Sequence, residues 1–331
     1  MKRFAELPQG KRLLYFEQAA ASLSIPAVAV EKDFWVVWVL ERLFSSEFLA
    51  PKILFKGGTS LAKVFGLIDR FSEDIDLILD WNEVVSENPM ADRSKAKQDR
   101  FNKDVPVLSR AYIERTFLPE VVRLMGEVCS AEIEDEAPDV INIRYPSGFE
   151  SGYLRPEIRL EIGPLAQWIP NALYNVRPYA AEALPDLFEQ PTCQVQTIKA
   201  ERTFWEKATI LHHEAYRPED SPVPSRYSRH YYDLFKMATA PDVKRAALDD
   251  LNLLRSVVEF KQKFYPRGWA HYDLAKPGSL KLIPPGRILA AMRKDYSAMQ
   301  EMIFGSRPAF DEIISGLRNL EQEINARSST G

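Results

Sequence analysis

The segment Arg70-Phe71-Ser72-Glu73-Asp74-Ile75-Asp76-Leu77-Ile78-Leu79 constrains this chain most. In an extended strand, residues two apart share a face. Ile75, Leu77 and Leu79 then turn together toward a core, and Asp74 and Asp76 turn together the other way. Two carboxylates side by side repel each other, and a fold rarely keeps them so unless a cation lies between them. Oxygen-only donors suit magnesium or manganese. An isolated Asp-x-Asp strand is more often one with a solvated face, so the context decides.

That context is Phe55-Lys56-Gly57-Gly58-Thr59-Ser60, about fifteen residues upstream. A strand Lys52–Phe55 running into two glycines and a short helix, Ser60–Phe65, lets the backbone turn tightly and come close to a ligand. The free N–H groups of such a helix start favour an anion. Ser60 adds a hydroxyl, and Lys56 or Lys63 a charge. The spacing is not that of a P-loop, and a Gly-Gly turn alone is more often plain architecture. Next to the paired aspartates it gains meaning, because one element grips phosphates and the next holds the metal that bridges them.

The 331 residues, 46% of them hydrophobic, favour two domains on length alone. With 27% charged residues and a formal net charge of -4, the chain does not bind nucleic acid simply by being basic, although a local basic groove is compatible with that balance. Cys129 and Cys193 fit neither a disulfide framework nor a metal cluster. The first twenty residues are too polar for a signal peptide, and the apolar run Phe34–Phe44 contains Glu41 and Arg42. The expectation is a soluble, cytoplasmic protein with no membrane partner.

Along the chain the pattern predicts helices over Gln9–Ser22 and from the Ser24-Ile25-Pro26 start to Phe44, then the glycine turn and the strand Asp74–Leu79. A polar stretch, Asn82 to Lys103, precedes a helix from Pro106 to Glu127, and strands follow at Val140–Tyr145 and Arg155–Ile162. After the short apolar segment Cys193–Ile198, helices are expected at Lys199–His213, Arg226–Met237, Asp242–Phe264, Pro285–Phe304 and Pro308–Ile324. The fold class is α+β: a small mixed sheet with flanking helices over residues 1–188, then a helical domain over 189–331.

Gly-Gly-Thr-Ser followed by Arg-Phe-Ser-Glu-Asp-Ile-Asp-Leu resembles the signature of the DNA polymerase β-type nucleotidyltransferases. More closely it is similar to the AbiEii branch, which includes toxins of bacterial phage-defence and toxin–antitoxin operons. Glu31-Lys32-Asp33-Phe34-Trp35, Glu201–Lys207 and Arg229–Leu234 resemble further motifs of that branch, so the likeness covers most of the chain and is weakest over Asn82–Asp139. The resemblance implies a nucleotide site at Lys56, Gly57, Gly58, Thr59, Ser60, Arg70 and Ser72, with metal on Asp74 and Asp76. It implies a third carboxylate on a neighbouring strand, for which Glu161 is the candidate, although a solvated strand face explains Glu161 as well. It places Lys207 on the nucleotide's phosphates and Asp233 nearby, as catalytic residues beside Asp74 and Asp76. The implied chemistry is magnesium- or manganese-dependent transfer of a nucleoside monophosphate from an NTP to an RNA acceptor, the 3′ end of tRNA, which would stop translation. The implied partner is an antitoxin encoded nearby, with direct contact left open. A protein hydroxyl or small-molecule acceptor, and a non-catalytic nucleotide-binding module, stay open as alternatives.

His212-His213 point apart on a helix and make a poor metal pair, and His230 reads better as a hydrogen-bonded core residue. The basic run Lys95, Lys97, Arg100, Lys103 reads first as a solvated loop and second as an RNA contact. The mixture Lys261–Trp269 reads either as a helix end packed on the core or as a place for unpaired bases to stack.

Overall fold

Alternation drives the first half of the chain into one mixed, seven-stranded sheet. In a computed structural model that describes residues 1–149, 155–164 and 166–327, the strands are β1 Ile53–Lys56, β2 Asp74–Leu79, β3 Ser130–Glu134, β4 Ala137–Arg144, β5 Glu157–Gly163, β6 Asn171–Val176 and β7 Cys193–Ile198. Their order across the sheet is β3-β4-β5-β2-β1-β7-β6. β2 runs antiparallel to β1 and parallel to β5, and β1 runs parallel to β7. One face of the sheet buries Phe55, Ile75, Leu77, Ile141, Ile143, Ile158, Leu160 and Val195 in the main core. The other face is polar over β2, β4 and β5, with a small apolar cluster of Leu54, Ile78, Ala166 and Ile198.

The helix Ala27–Phe44 packs on the apolar face, buried around nearly its whole circumference through Phe34, Trp35, Trp38 and Leu40. Ser24, expected to open this helix, instead ends Gln9–Leu23 in a left-handed conformation, and Pro26 stands before the second helix. Among the described residues no single helix is long and apolar enough to cross a membrane.

By packing, the chain divides into Met1–Val64 with Ser72–Ile198, and Phe65–Phe71 with Lys199–Gly331. The sequence places the boundary at residue 188; β7 lies with the first unit because it pairs with both β1 and β6. The second unit is helical, with Phe204, Trp205, Leu211, Tyr231, Leu234, Val257, Ile313 and Leu317 in its interior. The expected helix Asp242–Phe264 is two helices, Pro241–Asp249 and Leu251–Phe264. Asp250 breaks it, its carboxylate accepting from the Leu253 amide as an N-cap.

Lys95–Lys103 is helical rather than a loop. The helix Lys95–Tyr112 carries Pro106 in its interior and continues through a π-turn into Leu118–Met125. Phe101, Val105, Ser109, Ile113 and Phe117 form a buried stripe at spacings of four, and burial of that stripe outweighs the proline. The edge strands β3 and β6, polar and only weakly alternating, were not anticipated.

Candidate active site

The paired aspartates stand where alternation puts them. Asp74 and Asp76 share the polar face of β2, both half-buried, while Ile75, Leu77 and Leu79 are buried on the other face. Across β1, Asp76 stands opposite Lys56, and across β5 it stands opposite Glu161. Burial pushes the Asp74 carboxyl above its ordinary value; Asp76 and Glu73 reinforce the rise, and Arg159 and Lys32 oppose it.

The glycine turn closes on Asp76. The helix begins at Gly57 itself, earlier than expected, and spans Gly57–Lys63. Gly57 has a φ of +82°, and a Cβ built there would fall 1.8 Å from Asp76 Oδ2. The Asp76 carboxylate therefore rests against the Gly57 backbone in space that only glycine leaves free. The hydroxyls of this turn serve the turn. Ser60 donates to the Gly57 carbonyl at 2.8 Å, and buried Thr59 donates to the Asp74 carbonyl and, at 3.4 Å, to that of Ser72. Thr59 thus fastens the start of β2 to the glycine helix.

Three consecutive charged residues of Ala27–Phe44 brace this assembly from inside the first unit, a role that the motif Glu31-Lys32-Asp33 did not disclose in sequence. Lys32, 1% exposed, donates to Glu73 at 2.7 Å and to the Arg155 carbonyl at 3.0 Å, fixing the residue just before Asp74. Asp33 accepts from Lys63 at 2.8 Å and from the Tyr179 amide at 2.6 Å, fixing the end of the glycine helix. Glu31 accepts from the Gly148 amide at 3.0 Å and the Ser147 hydroxyl at 3.1 Å. Burial raises the Asp33 carboxyl, opposed by Lys63, and lowers the Lys32 ammonium, opposed by Glu73.

The bonds of Arg159 are the second feature that the sequence did not disclose, since alternation sets it only on the face it shares with Glu157 and Glu161. From β5 its Nη1 bonds Glu161 at 2.9 Å and lies 3.7 Å from Asp74, while Nε and Nη2 bond one oxygen of Glu134 at 3.0 and 2.9 Å. Among the described residues no three Asp, Glu, His or Cys side chains are arranged as a metal cage.

The remaining predicted residues form a buried ion cluster of their own in the second unit. Arg70 grips Asp233 with two hydrogen bonds, at 2.7 and 2.8 Å, in the fork geometry of guanidinium on carboxylate. Lys207 donates to the other side of Asp233 at 2.9 Å. Burial works against the Asp233 carboxylate, but Arg70 and Lys207 together outweigh it and hold the group well below the usual carboxylate range. Burial lowers Lys207, opposed by Asp233. Burial and the Lys207 charge hold His230 well below its ordinary value, so it is neutral. Its Nδ1 lies 3.2 Å from the Lys207 ammonium, within reach to accept from it.

A strand-borne acidic pair beside a glycine turn, in a mixed sheet, is the architecture of a nucleotidyltransferase. Residues 38–316 match the family described as nucleotidyl transferase AbiEii toxin, type IV toxin–antitoxin system. The chain belongs to the AbiEii family of nucleotidyltransferase toxins, enzymes that use an NTP and a divalent metal and are paired with an antitoxin. It is similar in fold to MenT4, a nucleotidyltransferase toxin from Mycobacterium tuberculosis H37Rv, at 16% identity and a TM-score of 0.49 over 96% of this chain and 90% of that one. A structure from H. pylori described as that of a "putative nucleotidyltransferase" is similar at 14% identity and a TM-score of 0.38, covering 89% and 96% of the two chains. No curated protein matches.

Proposed function

We propose that this toxin transfers a nucleoside monophosphate from an NTP to an RNA acceptor, the 3′ end of tRNA, and so arrests translation. The observation that carries the reading is the Asp76 carboxylate resting against Gly57 beside Asp74, on the polar face of β2. The residues fit a divalent cation. Their donors are hard carboxylate oxygens, and burial first and the like charge of Asp76 after it raise Asp74, a rise that a cation would relieve. Asp74 and Asp76 would hold the metal, with Glu161 the third carboxylate on that face. When bound, a metal there would polarise the phosphates and lower the pKa of the attacking hydroxyl.

The protein's own part is positioning. Gly57 and Gly58 give a ligand close access to backbone amides, with Lys56 and Ser60 at the same turn. Thr59, through its bonds to Asp74 and Ser72, keeps that turn and the aspartates in register. The acceptor hydroxyl attacks the α-phosphorus, its proton leaves to solvent, and pyrophosphate departs. Most of the acceleration would come from orientation and charge, as is general for phosphorus transfer. For Arg70, Ser72, Lys207 and Asp233 the family resemblance supports a requirement in the same reaction, and the hydrogen bond to Asp233 fixes the Lys207 side chain and opposes the effect of its burial.

The test is transfer of label from each α-labelled NTP onto total tRNA with magnesium, beside a folded Asp74→Asn, Asp76→Asn double variant. Label on tRNA from the natural protein alone supports the reading. Label on protein instead moves the acceptor, and no transfer to any macromolecule removes the catalytic proposal.

A further inference from the structure

We propose that the helical second unit carries a docking surface for an unpaired stretch of the RNA acceptor, built from Tyr216, Arg217, Arg267, Trp269, His271 and Lys281. The inference rests on the reading of the acceptor as RNA.

The basic and aromatic run Lys261–Trp269 divides in the structure. Phe264 ends its helix in the interior, whereas Arg267 is exposed and Trp269 half-buried. The Trp269 ring carries two guanidiniums, Arg217 at 5.2 Å and Arg267 at 5.7 Å from its centre. Next to Arg217 in the chain, the half-buried Tyr216 ring lies 4.8 Å from the exposed His271 ring and 4.6 Å from the exposed Lys281 ammonium. Cations and rings therefore interleave. Bases stack on aromatic and guanidinium planes while lysine and arginine neutralise phosphates, which is how unpaired nucleic acid is held. Arg217 is committed to Glu214 through two hydrogen bonds of 2.6 Å, but Arg267 and Lys281 form no ion pair among the described residues. A phosphate reaching those two displaces no acid.

Buried residues hold this surface in shape. Fully buried His212 accepts from the Lys281 amide through Nδ1 at 3.0 Å and donates to the His271 carbonyl through Nε2 at 3.0 Å. One ring thus ties together the two segments that flank Tyr216. His213 packs edge-on against Trp269, with centres 5.6 Å apart, and its Nδ1 lies 3.2 Å from the Tyr272 hydroxyl. His271 itself has a φ of +46°, a left-handed conformation that is costly for a residue with a side chain. Strain of this kind persists only where the surroundings impose it, and here it keeps an exposed ring against Tyr216.

The test is binding of a labelled single-stranded RNA of about twelve nucleotides to the protein, followed by fluorescence anisotropy without NTP over a range of salt. Circular dichroism verifies the fold of each variant. Tyr216→Leu and Trp269→Leu should each weaken binding about tenfold, the scale of one lost base stack, with the salt dependence unchanged. Arg267→Gln, Lys281→Gln together should make the slope of log affinity against log salt shallower by about 1.4, as for two phosphate contacts on a single strand. Lys294→Gln, Arg318→Gln removes the same charge from two other exposed cations of this unit and should leave that slope unchanged.

Natural affinity in folded Tyr216→Leu and Trp269→Leu overturns the proposal, as does an equal loss of slope in Lys294→Gln, Arg318→Gln. Should the aromatic variants fail to fold, Arg267→Gln, Lys281→Gln decides, and an unaltered slope refutes the docking surface. Transfer of label separates the two levels of the argument. If the natural protein labels tRNA while the surface variants bind RNA unchanged, only the docking surface falls. If label goes to protein instead and the natural protein binds no RNA, both readings fall.

Discussion

Gly57→Ala tests the geometry of the site without removing any acid. The new methyl would lie 1.8 Å from Asp76 Oδ2, 2.6 Å from Cγ and 3.0 Å from Cβ. Ordinary contact requires roughly 3.4 Å, so the Asp76 carboxylate must retreat by about 1.5 Å or change rotamer. At a φ of +82° the alanine adds backbone strain of about 1–2 kcal/mol. A displacement of that size at a reacting centre costs on the order of a hundredfold in rate.

The strain needs its own control. Gly126 has a φ of +59° and nothing within 4 Å of a built Cβ, so Gly126→Ala carries backbone strain without a clash. Nucleotide transfer and thermal unfolding are measured on both. Gly57→Ala should lose about a hundredfold in transfer rate, whereas Gly126→Ala should unfold a few degrees lower, on the scale of about 2–4 °C per kcal/mol, with its transfer rate unchanged. A folded Gly57→Ala with natural activity would refute the claim that Asp76 must occupy its place against the glycine.

Three further outcomes are expected. Lys32→Met leaves Glu73 without its buried partner and should destabilise the protein by about 3–5 kcal/mol in denaturant unfolding; a loss under about 1 kcal/mol would show that the brace is not needed. Asp233 is held below its ordinary value of 3.8 in the folded state, so the stability it contributes is complete above that value and is lost as the pH falls below about 4. Asp233→Asn, which removes the carboxylate that the buried cations Arg70 and Lys207 share, should lower stability by about 3–5 kcal/mol at neutral pH and flatten that acid limb, read from unfolding between pH 6 and 2. Pro106→Ala restores an amide inside Lys95–Tyr112 and should raise the unfolding midpoint by a few degrees, a gain of about 1–3 kcal/mol; a fall would mean that the helix is shaped around the proline.

What could be read from sequence was what depends on neighbours. The strand Asp74–Leu79 and the placement of its aspartates follow from alternation within six residues, and the glycine turn follows from two adjacent glycines. What could not be read depends on distant pairings. Arg159 meets Glu134 only because β4 lies between β3 and β5, and Lys32 meets Glu73 across forty-one positions. The helix over Lys95–Lys103 was hidden by its charge and by Pro106, since the buried stripe that holds it becomes visible only once the sheet is there to cover it. The fork of Arg70 on Asp233, 163 positions apart, was likewise invisible, and a sequence motif had suggested only a nucleotide contact for Arg70.

The most direct test of the central claim is pyrophosphate release with NTP, total tRNA and magnesium, comparing the natural protein with Asp76→Asn. If Asp76 holds the metal against the glycine turn, release should depend on added tRNA and fall by about 10²–10³-fold or more in a variant whose unfolding midpoint is unchanged. Pyrophosphate released equally by both proteins would contradict the account and place the chemistry away from β2.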